Sequence, residues 1–248
     1  MRLHVVSLFP EFFSGPVDFG TTRIAREKQL LQFEVVNPRD FTSDPHRTVD
    51  DYPFGGGAGM VLKPEPLFAA VESVRTPASR VVLLSPRGKR YDQSTAREFS
   101  RTGHLVLICG RYKDVDERVR AGLCDDELSV GDYVLAGGEA AAVIVIESIA
   151  RLLPGVVGDA ESVDTDSFEN GLLDAPWFTR PRCFRDMAVP EVLVTGDHAA
   201  VGRWRREQSL LLTARARPEL LDSETLTESE REFLMHHLTK EMFNGQSS

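Results

Sequence analysis

Five stretches of the chain are nearly continuous apolar runs: RLHVVSL at 2 to 8, FEVV at 33 to 36, VVLL at 81 to 84, LVLIC at 105 to 109 and YVL at 133 to 135. Runs that do not alternate suit strands buried on both faces, because neither face meets water. Helical spacing falls between them. It covers 65 to 75 after Pro64, 93 to 101 after the predicted N-cap Asp92, 114 to 121, and 138 to 153, where Pro154 and Gly155 stop it. Strands alternating with helices predict an α/β domain with a parallel sheet covered on both faces.

The pattern changes after Pro154. GDAESVDTDSFENG, 158 to 171, is acidic and small-residue-rich, with no apolar period, and reads as a flexible linker. A loop-rich segment follows, then a helix from His198 to about Ala216 with Val201, Trp204, Leu211 and Leu212 on one side. A last helix opens at Thr227, where Glu230 completes a capping box. The expected organisation is an α/β domain over 1–157, the linker over 158–171 and a small, mostly helical domain over 172–248. No internal repeat is present.

Composition narrows the function. The longest apolar run, AAAVIVI at 140 to 146, is far short of the roughly 18 to 20 residues of a membrane span. The N-terminus reaches Glu11 without the apolar stretch of a signal peptide. Cys109, Cys124 and Cys183 are odd in number and lack metal-ligand spacing, which favours a reducing compartment and no structural zinc. A cytoplasmic protein is expected. The net charge of -9 hides an asymmetry, since 172 to 217 holds eight arginines, no lysine and five acids. Planar guanidinium suits phosphates and stacked bases, and Trp177 and Phe178 stand beside Arg180 and Arg182. This segment predicts RNA contact, with Arg203 and Arg206 as further candidates.

Glycine clusters point to a ligand. GGGAGM at 55 to 60 follows a loop, not a strand, so it is no dinucleotide fingerprint, and no GxxxxGK[ST] exists for a polyphosphate. GGGAGM is expected to be a tight backbone crossing. Three predicted strands do end in small-residue turns: SPRG after 81 to 84, GRYKD after 105 to 109 and AGGEAA after 133 to 135. Ligands of parallel sheets sit at the carboxyl ends of strands, so these turns can converge on one pocket. Glycines allow close backbone approach, which favours an uncharged adenosine over a nucleoside triphosphate.

HRTVDDYPFGGGAGM, LLSPRGK, LICGRYKDVDERV, ELSVGDYVLAGGE and LLDAPWFTRP closely resemble, in order and spacing, the bacterial tRNA (guanine-N1)-methyltransferase family. The likeness runs to about Leu221. It implies a SPOUT methyltransferase domain whose parallel sheet carries a deep trefoil knot, an obligate homodimer with its active site at the subunit interface, and S-adenosyl-methionine as cofactor. The partner it implies is the anticodon loop of tRNA, methylated at guanosine 37. Knots are nearly absent among folds, so no sequence pattern alone suggests one.

By the same resemblance the adenosine lies among Leu84, Ser85, Pro86, Gly110 and Tyr112. The loop Val130, Gly131, Asp132, Tyr133, Val134 and Leu135, continuing through Gly137 and Gly138 to Ala141, completes that set. Methylating N1 of guanine requires loss of the N1 proton and stabilisation of charge on O6, hence a general base and a cation or donor. Resemblance assigns these roles to Asp166 and Arg151, with partial burial expected to raise the basicity of Asp166. On residue type alone, Asp166 reads rather as a turn or cap residue, as most aspartates in such loops are, and Arg151 as a partner of a helix C-terminus.

His46, Arg47 and Asp50 are candidates for contact with tRNA or the active site, or for ordering their own loop. Cys109 and Trp204 read as core residues. No metal ligand set is apparent, and nothing in the sequence indicates Mg²⁺. Two positions depart from the family: Lys113 replaces the usual glutamate, with Asp114, Asp116 or Glu117 nearby to compensate, and Ala141 stands where proline is common. A knotted methyltransferase of ribosomal RNA, or a cofactor- and RNA-binding protein without catalysis, would share many of these features.

Overall fold

The computed structural model describes residues 1–158, 165–221 and 226–244, with side chains through residue 239. Two compact units divide the chain, Met1–Ala160 and Glu161–Ser248. Part of the acidic stretch expected as a linker, 159 to 164, lies outside the described residues. Residues 165 to 171 form turns within the second unit, where Phe168 N–H donates to Leu172 O (2.7 Å) and Asp174 N–H donates to Ser167 Oγ (2.9 Å).

The first unit is built on β1 (Arg2–Val6), β2 (Gln32–Val36), β5 (Ser79–Arg90), β6 (His104–Cys109) and β7 (Asp126–Ser129). They form one parallel sheet in the order β2-β1-β6-β5-β7. Alternate residues feed opposite faces: Leu3, Val5, Val82, Leu84, Leu105 and Leu107 join one core, and Val6, Val81, Leu83, Val106 and Ile108 join the other. On the first face pack α1 (Gly20–Glu27), α3 (Gln93–Ser100) and α5 (Glu139–Ala150); on the second, α2 (Pro64–Val74) and α4 (Glu117–Leu123). Burial on both faces explains why these strands read as continuous apolar runs. A two-stranded antiparallel ribbon, β3 (Asp50–Asp51) with β4 (Val61–Leu62), brackets the GGGAGM loop.

One predicted strand is corrected. Residues 133 to 135 are not a strand; the fifth strand of the sheet is β7, whose sequence is DELS. Its two leading acids are neutralised by side chains from other elements, Asp126 by Arg80 and Glu127 by Arg120 (3.0 Å). An apolar-run reading therefore passes over it. Tyr133, Val134 and Leu135 are apolar yet exposed, Val134 at 95%. The helix expected from 114 starts later, at Glu117, because Asp116 caps it by accepting from Arg118 N–H (2.9 Å).

The second unit contains the ribbon β8 (Cys183–Phe184) and β9 (Met187–Ala188), then α6 (His198–Ala216) and α7 (Glu228–Asn244). Arg185 and Asp186 turn the ribbon with φ of 50 and 63°, the two-residue geometry that matches strand twist. Thr227 and Glu230 form the predicted capping box, Thr227 N–H donating to Glu230 Oε2 (2.8 Å) and Glu230 N–H to Thr227 Oγ1 (3.3 Å). The buried cluster is Leu172, Leu210, Leu211, Leu226 and Leu234. Leu212, expected on the inward side of α6, is exposed.

Candidate active site

Three turns, one within β5 and one each after β6 and β7, meet in one cleft. The first is a detour of β5. Both Leu84 and Lys89 pair with Leu128, so residues 85 to 88 leave the ladder between them. Ser85 stays buried at the base of this detour, and its Oγ accepts from Arg87 N–H (3.2 Å). The second turn begins at Gly110, directly after buried Cys109, and Tyr112 adopts φ of 61°. The third is 129 to 138. The latter two are tied together where Gly138 N–H donates to Gly110 O (2.9 Å) and where Arg111 pairs with Gly137 in a short antiparallel bridge.

Glycine is required at this junction. A Cβ on Gly138 would lie 2.7 Å from Cys109 Cα and 3.2 Å from Gly110 N, both backbone atoms with no freedom to retreat. A Cβ on Gly137 would lie 2.5 Å from Arg111 Nε and from Glu139 Oε2. The glycines that read from sequence as room for a ligand thus first make room for the neighbouring turn.

Behind the junction lies a buried charge. Glu139, first residue of α5 and 1% exposed, accepts from Ser7 Oγ (2.7 Å) and faces Arg111 Nε at 3.2 Å. Nε and Oε2 are buried without an aligned hydrogen bond, so the attraction is chiefly coulombic. The Arg111 guanidinium also lies over the Phe9 ring, 4.2 Å from its centroid. Burial, and then the Glu139 charge, push the Cys109 thiol well above its usual range, so it is no nucleophile.

Leu84, Ser85, Pro86, Gly110 and Tyr112 line the cleft, as do Val130, Gly131, Tyr133, Val134, Leu135, Gly137, Gly138 and Ala141. Asp132, grouped with them from the sequence, is exposed and is not part of the lining. Arg111, Lys113, Asp114, Leu128, Ser129 and Ala136 also line it. All six fall inside the quoted motifs, so position was the available signal, whereas nothing near Ser7 marked it as a partner of Glu139. Arg120 gathers Asp114 (2.7 Å), Glu127 (3.0 Å) and Glu117 into one network beside the cleft.

Other candidates are distributed more widely. Arg151 terminates α5, its N–H donating to Glu147 O (3.3 Å). His46 and Arg47 lie in a loop ordered by its own contacts. Asp44 accepts from His46 N–H (3.2 Å) and Thr48 N–H (3.0 Å), and Arg47 pairs with Asp40. Asp50 belongs to the ribbon strand β3.

In the second unit, half-buried Asp166 lines a cavity with Asp174, Trp177, Arg205 and Arg206. A second cavity is lined by Trp177, Phe178, Arg180, Arg182 and Arg205. Trp177 and Arg205 are common to both, with the guanidinium 4.2 Å from the ring centroid. Arg206 pairs with Glu230 (2.7 Å) and Arg182 with Glu191 (2.9 Å), while Arg203 is exposed. Trp204 is partly buried, its ring 6.3 Å from that of Phe178.

A doubly covered parallel sheet with a backbone-walled cleft at its strand ends is the arrangement in which α/β proteins hold small organic ligands. Its second unit presents stacked aromatic and guanidinium groups. The chain belongs to the tRNA (Guanine-1)-methyltransferase TrmD family, whose model matches residues 1–223. Relatives named tRNA (guanine-N(1)-)-methyltransferase include one from Dictyoglomus turgidum, 48% identical and covering 98% of each chain. Another, from Dehalococcoides mccartyi, is 49% identical over 97% of this chain and 98% of the relative. A third, from Geobacillus kaustophilus, is 47% identical over 94% and 97%.

Proposed function

We propose that this protein transfers a methyl group from S-adenosyl-methionine to N1 of the guanosine at position 37 of tRNA. The observation that carries this reading is the convergence of three turns into a cleft walled by backbone and apolar side chains. Among its described lining residues only Lys113 is a cation without an ion-pair partner, too little for a polyphosphate and suited to a nucleoside. Family membership and the names of the relatives support the same substrate.

Ser85, Gly110 and the 130 to 138 loop hold the adenosine, with exposed backbone groups reading the purine edge. When bound, S-adenosyl-methionine supplies an electrophilic methyl on a sulfonium. Asp166 takes the N1 proton of guanine, and the Arg151 guanidinium donates to O6 as negative charge collects there. An ordinary carboxyl titrates near ~3.9 and is a weak base for this proton, so the O6 contact lowers the cost of the same step.

The turns at 85 to 88, 110 to 114 and 129 to 138 constitute the trefoil crossing of a SPOUT domain. Two copies of the chain place the active site at their interface, and Arg180, Arg182, Arg203 and Arg206 contact the anticodon arm. The protein works in the cytoplasm; among the described residues no helix is long and apolar enough to cross a membrane.

The test is methyl transfer to a tRNA transcript carrying guanosine at 37, beside one carrying adenosine there and a ribosomal RNA fragment. Transfer is expected to the first alone, falling at least a hundredfold in Asp166→Ala and Arg151→Ala. Near wild-type rates in both variants would remove the assigned roles. Preference for the ribosomal fragment, or cofactor binding without transfer to any RNA, would replace the reading.

A further inference from the structure

Most charge on the cleft wall is internally settled. Arg111 faces Glu139, and Asp114 is held by Arg120. The acids that follow are engaged as well, Asp116 with Arg118 (2.8 Å) and Glu117 with Arg87 (3.1 Å) and Arg120. Neither Asp114, Asp116 nor Glu117 is thus available to offset Lys113. Lys113 is exposed and has no ion-pair partner among the described residues.

Its placement is built, not incidental. The left-handed backbone of Tyr112 redirects the chain, and Lys113 N–H donates to Met60 O (3.0 Å). The aliphatic stem of Lys113 rests on Gly59, where a Cβ would come to 3.0 Å from Lys113 Cγ and 3.3 Å from Cε. GGGAGM is not the tight backbone crossing expected from the sequence, since a Cβ on Gly55, Gly56 or Gly57 would meet nothing within 4 Å; instead Gly59 leaves a seat for the lysine stem. Holding the stem before a ligand arrives lowers the entropy lost on binding.

We propose that Lys113 is a specificity-determining residue whose ammonium pairs with the carboxylate of the donor's amino-acid tail. The proposal rests on the cleft's being the S-adenosyl-methionine site. A tail of this kind carries an ammonium and a carboxylate, and Asp114, the only acid lining the cleft among the described residues, is already bound to Arg120. Among the described residues the wall offers an uncommitted positive charge and no uncommitted negative one, so the carboxylate is the end it selects.

Calorimetric titration of the full-length protein with three probes tests this: S-adenosylhomocysteine, its decarboxylated analogue, and 5′-methylthioadenosine, which lacks the tail. Lys113→Met keeps the stem on Gly59 and removes the charge. It is expected to weaken S-adenosylhomocysteine by about fivefold to tenfold while leaving the other two probes within about twofold. Lys113→Arg should retain most of the preference, and Lys113→Glu should reverse it in favour of the decarboxylated analogue.

Equal losses for all three probes, or none, would overturn the proposal. So would a loss confined to tRNA affinity, which would assign the ammonium to an RNA phosphate. If the wild-type protein bound none of the probes, the cofactor reading itself would fall first and the proposal with it. An unchanged melting temperature of the ligand-free variants separates a binding effect from a folding one.

Discussion

The cleft of the first unit and the cavities of the second are made of different material. The first is built from main chain: three turns locked by Gly138 N–H to Gly110 O, by glycines that admit no Cβ, and by charges paired behind the wall. The second is built from exposed side chains, with Trp177 62% exposed beneath Arg205. A site of fixed main chain suits one small rigid ligand. Long side chains over aromatic rings suit a nucleic acid whose bases are splayed and stacked. Substitutions should therefore injure folding in the first region and RNA affinity in the second.

The largest expected effect is on glycine. Gly138→Ala should destabilise the protein by about 3 kcal/mol, because the new methyl meets backbone atoms of Cys109 and Gly110. Gly171→Ala in the second unit, at φ of 73° with no heavy atom within 4 Å of its Cβ position, should cost only about 1 kcal/mol from the left-handed backbone. Urea unfolding of both variants checks this, and equal costs would break the comparison.

Charge gives the next contrast. Glu139→Gln removes the buried partner of Arg111 and should cost about 2 kcal/mol in the same unfolding experiment. Arg206→Ala breaks an ion pair whose arginine is 43% exposed and should cost less than about 1 kcal/mol. Trp177→Ala should leave unfolding nearly unchanged but lower tRNA affinity about tenfold, as for loss of one stacked base, with Trp177→Phe recovering most of it. Filter binding at two salt concentrations would measure this, and unaltered affinity would remove the second unit from the RNA contact.

The smallest effect concerns pH. His4 Nδ1, in the middle of β1, and His104 Nε2, at the start of β6, share a hydrogen bond of 2.8 Å, and His104 Nδ1 meets Ser79 Oγ at 2.7 Å. Both imidazoles titrate below the usual 6.5, from burial first; Glu34 and Arg2 also act on His4, and His4 and Arg2 on His104. The unfolded chain therefore binds more protons than the folded one just below pH 6.5. Stability from this pair is complete above the unfolded pKa and is lost as pH falls through the lowered folded values. Melting temperature should decline from pH 7 to pH 5, and by less in His104→Asn, which leaves one imidazole to titrate.

What could be read in advance followed burial. VVLL and LVLIC revealed β5 and β6 because strands covered on both faces need apolar residues at every position. DELS was illegible as a strand because its acids are compensated by Arg80, from a strand 46 residues earlier, and by Arg120, from the preceding helix, pairings that the local run of residues does not show. YVL misled in the opposite direction. Its apolar residues face the cleft, and a short run cannot distinguish a core from a ligand-facing wall. Leu212 likewise has core chemistry and an exposed position.

By itself the sequence determined the alternation of strands and helices, the three small-residue turns and the arginine bias of the second unit. Each depends on local composition and spacing, which the chain carries wherever it folds. Tertiary structure alone decided that Glu139 answers Arg111 and Ser7, that Asp114 belongs to Arg120, and that Gly59 supports Lys113. Ion pairing and van der Waals closeness act over a few ångströms, and only the folded register brings residues 132 or 54 positions apart within that reach.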